Sequence, residues 1–389
     1  MNLEELVEQN LEDIHNFREN MHKRPEIGLE TVKICRTVEE KLKKLGFATQ
    51  VIPQNSVVGV LKKGTSKRCI AFRADMDALL ITEETGCDFR SENEGSMHAC
   101  GHDCHTSSLL GAATIIADLE FDGTLVVIFQ SGEEGWGGAK IMLEEGKLLS
   151  KIPKIDYIFA LHVYPEYAPG TFLLTKGPIF ASSSFFKCQI NGKGAHGSTP
   201  QKSIDPIVIG SQVIVNSQSI VSRMSSPFDP LVLSVCSIQG GSSTNVIPQS
   251  VKMMGTFRSF NDKLREKAEN QFMQILNLTC EMYGATHSLE IDAHRAVVNH
   301  EEAIDFIKEP VKEIAKEIVL DKRIMAGEDF SYFLQKIKGA LVLVGCKNEN
   351  SKFINQLHSP KFLPDPRVIK FSVLFILKTC EKYLMKQNN

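Results

Sequence analysis

Apolar positions in this chain repeat with two different periods, and the alternation between them lays out the elements. From Glu5 to Met21 they recur at Leu6, Leu11, Ile14 and Phe17, the spacing of one helix face. Glu30 to Leu45 repeats that spacing and stops at Gly46, a residue suited to the left-handed cap that ends a helix. Apolar runs of strand length follow at Ser56–Leu61, Arg68–Phe72, Leu125–Phe129, Tyr157–Leu161 and Leu341–Val344. Helical stretches lie between them, notably His105–Leu119. Strands alternating with helices predict an α/β domain whose mainly parallel sheet is covered on both faces.

Between about 185 and 291 the rhythm changes. The expected order there is strand Phe185–Ile190, helix Pro206–Arg223, strands Leu231–Ile238 and Val251–Phe257, helix Asp262–Tyr283 and strand Thr286–Ile291. That β-α-β-β-α-β order is the ferredoxin-like unit, complete as a small domain. Its flanks, Ala181-Ser182-Ser183-Ser184 and Ala293-His294-Arg295, read as connectors. The expectation is a discontinuous catalytic domain over 1–182 and 295–389, with a second domain inserted over 183–294.

Composition narrows the class. A length of 389 residues suits two domains, and 42% hydrophobic with 23% charged residues suits a globular enzyme. The net charge of −3, without any Lys/Arg block interleaved with aromatics, argues against a nucleic-acid partner. No apolar run approaches membrane-spanning length, so no membrane partner is expected. The acidic, amphipathic start (Met1-Asn2-Leu3-Glu4-Glu5) has neither part of a secretory signal. Ten cysteines are scattered without the spacing of a disulfide scaffold, which points to the cytoplasm. Cys35, Cys69, Cys188, Cys236, Cys280, Cys346 and Cys380 fall in apolar patterns and read as small core residues.

One stretch departs from every such pattern. Met97-His98-Ala99-Cys100-Gly101-His102-Asp103-Cys104-His105-Thr106 packs three imidazoles, two thiols and a carboxylate into ten positions. Thiolate sulfur, imidazole nitrogen and carboxylate oxygen are the atoms that bind transition-metal ions. Cys100 and His102 can face one ion if the backbone bends sharply at Gly101. Arg73–Asp77, the Glu133-Glu134 pair and His162 each follow an apolar strand, where open α/β sheets collect functional residues.

Adjacent carboxylates on an extended chain point apart, so one of Glu133 and Glu134 can bind metal while the other faces bound water as general base. His358, in Leu357-His358-Ser359-Pro360, can close the set. Five ligands exceed what one tetrahedral zinc with an open position needs, and suit two ions sharing a bridge. Asp77 suits an acceptor that fixes the tautomer of a ligand imidazole.

Blander readings explain less. Cys100 and Cys104 could be half of a structural zinc site, but no second cysteine pair matches. A metal-independent thiol hydrolase built on Cys100 leaves Glu133, Glu134, His162 and His358 without a role. A non-catalytic metal-binding protein would not need the extra carboxylate.

At these residues the chain resembles the amidohydrolase branch of the aminoacylase and carboxypeptidase metallopeptidase family, which includes hippurate hydrolases, N-acyl-L-amino acid amidohydrolases and auxin-conjugate hydrolases. The matching elements are Arg73-Ala74-Asp75-Met76-Asp77-Ala78-Leu79, Met97 to Asp103, and Phe129-Gln130 leading to Glu133-Glu134-Gly135. They continue with Gly192-Lys193-Gly194-Ala195-His196-Gly197, Asn245-Val246-Ile247-Pro248, Gly255-Thr256-Phe257-Arg258 and Gly327-Glu328-Asp329-Phe330. The Cys-Gly-His-Asp element with the Glu-Glu pair is highly specific; Gly-x-Gly-x-His alone is weak.

The resemblance implies two divalent cations per subunit, held by Cys100, His102, Glu134, His162 and His358. Zinc stands first among the candidates, ahead of manganese, nickel and cobalt. It makes Glu133 the general base, His196 a support for the developing oxyanion, and Asn245 and Arg258 holders of substrate. A guanidinium matches the α-carboxylate of an N-acyl amino acid bidentately. The inserted domain becomes a lid through which a homodimer forms. The alternative activity is that of a dipeptidase or aminopeptidase on the same scaffold. Departures from the family pattern fall at Leu80, where Pro is usual, at Ser131-Gly132, which replaces Pro-Ala, and at Ser184, where Asp is frequent. None removes a ligand.

Overall fold

A computed structural model describes residues 2–348 and 355–385. The chain divides into two compact units. One is Met1–Gly177 with Val298–Lys322 and Asp329–Asn389; the other is Pro178–Val297 with Arg323–Glu328.

The larger unit is organised on an eight-stranded sheet. Six strands come from its first part: β1 (Ala48–Ile52), β2 (Ser56–Lys63), β3 (Cys69–Asp75), β4 (Gly123–Gln130), β5 (Tyr157–Tyr164) and β6 (Thr171–Leu174). Their spatial order is β1-β2-β4-β3-β5, then Gly339–Gly345, β6 and Glu317–Leu320. The central run β4, β3, β5 and Gly339–Gly345 pairs in parallel, while β1 with β2, β2 with β4, and β6 with Gly339–Gly345 are antiparallel. β3, β4 and Gly339–Gly345 are buried at every position, the signature of parallel strands covered on both faces. The mainly parallel α/β class expected from the sequence is therefore the one this chain forms.

Strand ends differ from expectation in a way that matters. His162 lies inside β5 rather than after it, because parallel pairing with Gly339–Gly345 continues past it, with Leu343 opposite His162. Likewise Arg73 and Asp75 belong to β3. The short strands β1, β6 and Glu317–Leu320 lie outside the sequence expectation; β1 and Glu317–Leu320, at the two edges of the sheet, show no clean alternation of buried and exposed positions.

Helix α1 (Leu3–Lys23) starts at Asn2, whose side chain accepts the Glu4 N–H; Glu4 and Glu5 in the first turn and His22 and Lys23 in the last complement the helix dipole. Leu3, Val7, Ile14 and Met21, spaced by four, seven and seven residues, lie along its buried stripe. The second helix, α2 (Val32–Lys44), carries a buried stripe of Cys35, Val38 and Leu42. The third, α3 (His102–Ala117), is buried on nearly every side. It packs so closely on α1 that a Cβ at Gly111 would meet Ile14 Cδ1 at 2.5 Å.

The α1–α3 contact also holds charge. Asp103 Oδ2 accepts from Arg18 Nε at 2.8 Å and from His22 Nδ1 at 2.9 Å, with all three side chains at most 2% exposed. Burial alone would lower the His22 pKa, but the Asp103 hydrogen bond and charge, then Glu83, hold it up at about 9.

The smaller unit is an antiparallel four-stranded sheet in the order Leu231–Gln239, Ser250–Ser259, Ser182–Asn191, Thr286–His294. Helices Pro206–Arg223 and Asp262–Tyr283 pack on it around Phe186, Phe257 and Phe272. Arg323–Glu328 belongs with this unit through the Ala181 N–H, which donates to the Ile324 carbonyl. Cys236 is exposed rather than a core residue. The register of its strand shifts between Val235 and Ser237, and the bulge turns Cys236 out. Among the described residues, no helix is long and apolar enough to cross a membrane.

Removing one partner of a buried ion pair leaves the other unpaired, so Asp103→Asn should destabilise the protein by about 3–5 kcal/mol in denaturant titrations. Because the folded-state pKa of His22 lies above the ordinary 6.5, its contribution is fully present below pH 6.5 and is lost as pH rises through about 9. Chelator-treated protein should therefore lose stability between pH 6.5 and 9.5, and Asp103→Asn should flatten that part of the profile.

Candidate metal centre

At Gly101 the chain turns sharply into α3. Its φ of +82° is left-handed, and a Cβ there would meet Val163 Cγ2 at 2.4 Å. The bend sends neighbouring side chains of the Cys100–His105 stretch to different places. Cys100 Sγ lies 3.5 Å from His162 Nε2. Asp103 points to α1, as described above.

His105 is fully engaged: its Nδ1–H donates to Asp75 Oδ1 at 2.6 Å, and its Nε2 accepts the Val163 N–H at 3.0 Å. An imidazole with both nitrogens used has no lone pair for a metal. His162 holds its proton on the same nitrogen, with different partners. Its Nδ1–H donates to the Val163 carbonyl at 2.8 Å, which leaves Nε2 unprotonated and facing Cys100. Burial above all, then the neighbouring His105, lowers its pKa to about 3, so the ring is neutral.

His102 sits at the middle. Both ring nitrogens are buried, and neither has a hydrogen-bond partner among the described residues. Carboxylates surround it: Asp77 lies 3.5 Å from Nδ1, and Asp75, Glu134 and Glu133 lie 3.8, 3.9 and 4.0 Å from Nε2. Burial opposes charge on this ring. Asp75 first, then Asp77 and Glu134, overcome it and lift the pKa to about 10. The surroundings demand positive charge at this point.

Glu133 and Glu134 occupy a turn beyond β4, not extended chain, so both carboxylates face His102 instead of pointing apart. Asp77 clamps that turn by accepting the N–H of Glu133 at 3.0 Å and of Glu134 at 3.1 Å. Glu134 Oε1 lies 3.2 Å from His358 Nε2. His358 itself has a left-handed φ of 66°, and its N–H donates to the Ala99 carbonyl at 2.8 Å, tying its loop to the Cys100 stretch.

Asp329 was missed as a supporting residue. It accepts from Arg73 Nη2 at 2.8 Å, Gln130 Nε2 at 2.8 Å and the Ala139 N–H at 2.9 Å, while its own N–H donates to Glu133 Oε1 at 3.4 Å. It stands in the Gly327-Glu328-Asp329-Phe330 element, and that motif, quoted above for the resemblance, was the available signal.

The donor atoms fall into two triads that share Cys100, one with His102 and His162 and one with Glu134 and His358; within each triad they lie within 4.8 Å of one another. A thiol, three imidazoles and a carboxylate, with both His102 nitrogens lacking hydrogen-bond partners among the described residues, fit divalent cations of the zinc class.

His196, Asn245 and Arg258 belong to the smaller unit. His196 pairs with Val246 on a two-residue ladder, and the Gly197 N–H donates to the Asn245 carbonyl at 2.8 Å, so the first two are neighbours. Arg258 lies over the Phe185 ring at 4.7 Å and donates to Thr256 Oγ1 and the Phe257 carbonyl.

Comparison with known proteins agrees with this geometry. Residues 71–382 match the family model described as "Peptidase family M20/M25/M40". The chain belongs to that family. It is 36% identical over 387 residues to thermostable carboxypeptidase 1 of Saccharolobus solfataricus, covering 96% of this chain and 97% of that protein. It is also 36% identical over 381 residues to the hippurate hydrolase of Campylobacter jejuni, covering 96% and 97%. The crystal structure of a dinuclear metal-binding peptidase of the M20 family from Bacillus subtilis superposes with a TM-score of 0.81 at 28% identity, covering 96% and 98%. As a member of this family, the chain is a metal-dependent hydrolase acting on amides.

Loss of the Asp77 clamp leaves two N–H groups unpaired behind the Glu133-Glu134 turn. Asp77→Ala should lower metal affinity by about 10–100-fold in competition with a chromophoric chelator; wild-type affinity in that variant would show the clamp to be dispensable.

Proposed function

We propose that this protein hydrolyses N-acyl-L-amino acids, of the hippurate or N-acetyl type, to a carboxylic acid and a free amino acid. The observation that carries the reading is the pair of donor triads joined at Cys100. In this reading Cys100, His102, Glu134, His162 and His358 would hold two divalent cations, zinc being the first candidate. Bound cations polarise the scissile carbonyl and acidify water.

The remaining steps fall to side chains. Glu133, on the same turn as Glu134 but not a member of either triad, takes the proton of the attacking water and delivers it to the leaving nitrogen. His196 Nδ1 accepts the Ser198 N–H at 3.1 Å, which places the ring proton on Nε2 as a donor for the oxyanion. The contacts of Arg258 are with the Phe185 ring, the Thr256 hydroxyl and the Phe257 carbonyl, all uncharged, so its guanidinium suits a substrate carboxylate, with Asn245 sharing that role. The two relatives matched at 36% identity support this common feature, since a carboxypeptidase and a hippurate hydrolase each act on an amide whose leaving amine bears an α-carboxylate.

A thiol-hydrolase mechanism is disfavoured by the same site. Burial above all, then Glu134, Glu133 and Asp75, pushes the Cys100 thiol well above its ordinary range, the reverse of an activated nucleophile. The dipeptidase or aminopeptidase alternative requires an acidic partner for a free substrate amine. We further assign a homodimer formed through the smaller unit, where Phe228, Val246 and Ile238 are exposed, and a cytoplasmic setting in keeping with ten free cysteines.

Glu133→Gln should lower kcat by more than 10³-fold with metal content unchanged, measured on N-acetyl and N-benzoyl amino acids against free dipeptides. Activity within tenfold of wild type would remove Glu133 from the role of base. Faster turnover of free dipeptides would favour the peptidase alternative. His196→Ala should cost about 10²–10³ in kcat, the usual effect of losing one oxyanion donor.

A further inference from the structure

Outside the Cys100 centre, a second set of metal-binding side chains converges on the other side of Asp103. We propose that His22, Glu83 and Cys87 form a separate site for a borderline-soft divalent cation of the zinc class, which fastens the loop containing Glu83 and Cys87 to helix α1.

Geometry is the first support. His22 Nε2 lies 3.3 Å from Glu83 Oε1, Cys87 Sγ lies 3.7 Å from the same oxygen, and all three donor atoms lie within 4.8 Å of one another. A charge-assisted N–H···O contact is normally about 2.7–2.9 Å, so 3.3 Å is long for an imidazolium–carboxylate bond. Zinc bond lengths of about 2.0–2.1 Å to nitrogen and oxygen and 2.3 Å to sulfur give tetrahedral edges of about 3.3 Å for N···O and 3.5 Å for O···S. The two separations to Glu83 Oε1 lie near those edges, and the third, from His22 Nε2 to Cys87 Sγ, is within 4.8 Å.

The surroundings are the second support. A metal-binding imidazole normally donates its other ring N–H to a carboxylate, and His22 Nδ1 is directed at Asp103 Oδ2 at 2.9 Å. The Thr85 hydroxyl donates to Glu83 Oε1, and the Ser91 N–H donates to Oε2 at 2.7 Å, so the carboxylate is oriented too. Charge is conserved on loading. Without metal, Arg18 and a protonated His22 balance Asp103 and Glu83; a divalent cation replaces one proton on His22 and one on the Cys87 thiol, with no net change. His22 is wholly buried while Cys87 is partly exposed, which gives an ion a path in and leaves a coordination position for water. Since the Glu84 N–H donates to the Pro360 carbonyl at 2.7 Å, fastening this loop also steadies the segment that carries His358.

The test uses the full-length protein, stripped with chelator and dialysed against zinc. Wild type should retain one more zinc equivalent per chain than Cys87→Ser or Cys87→Ala, whereas Cys236→Ser, which removes an exposed thiol elsewhere, should retain as much as wild type. The zinc remaining in the Cys87 variants reports the Cys100 centre separately, so the two readings can fail independently. On wild-type protein, zinc should slow iodoacetamide labelling of Cys87 by at least tenfold, read by peptide mass spectrometry, and leave Cys236 labelling unchanged. Equal zinc content in wild type and both Cys87 variants, or Cys87 labelling indifferent to zinc, would overturn the proposal.

Discussion

The larger unit is built around an electrostatic demand. Asp75, Asp77, Glu133 and Glu134 converge on His102, whose ring nitrogens are buried and lack hydrogen-bond partners among the described residues. Burying several carboxylates in low dielectric is costly unless positive charge lies among them. Arg73 answers part of it at Asp75, 2.7 Å away. The rest is what a bound cation would answer, and the fold offers it a place by bringing together strand ends, the start of α3 and the His358 loop.

That demand explains why the supporting residues are as specific as the ligands. Asp77 spends its carboxylate on two backbone N–H groups of the glutamate turn, and Asp329 gathers Arg73, Gln130 and the Ala139 N–H behind it. His105 has both its nitrogens occupied and so separates a structural imidazole from its neighbour His102, three residues earlier. The same ten-residue stretch thus serves two purposes, one on each side of α3.

Much of this was legible in the sequence. Long apolar runs such as Leu125–Phe129 exposed the parallel strands, because a strand covered on both faces needs apolar side chains throughout. The β-α-β-β-α-β order of the smaller unit was readable because each element is long and periodic. Short edge strands such as Ala48–Ile52 were not, since Thr49 and Gln50 are only half-buried and leave no alternation. Among the side chains that converge around His102, chemistry singled out Cys100, His102 and the glutamate pair in advance. What sequence alone could not supply was direction: which way Glu133 and Glu134 face depends on the turn after β4, and the outward position of Cys236 depends on a bulge.

The left-handed backbone at His358 limits how that position can drift. Only glycine, asparagine, aspartate and histidine enter that conformation with ease, and β-branched residues are effectively barred. Of the tolerated replacements, aspartate alone would offer a charged donor, exchanging the neutral nitrogen of the proposed ligand for an anionic oxygen. Divergence there would therefore trade borderline ions for harder ones such as manganese, so that a torsion angle of the main chain narrows the metals available to descendants of this protein.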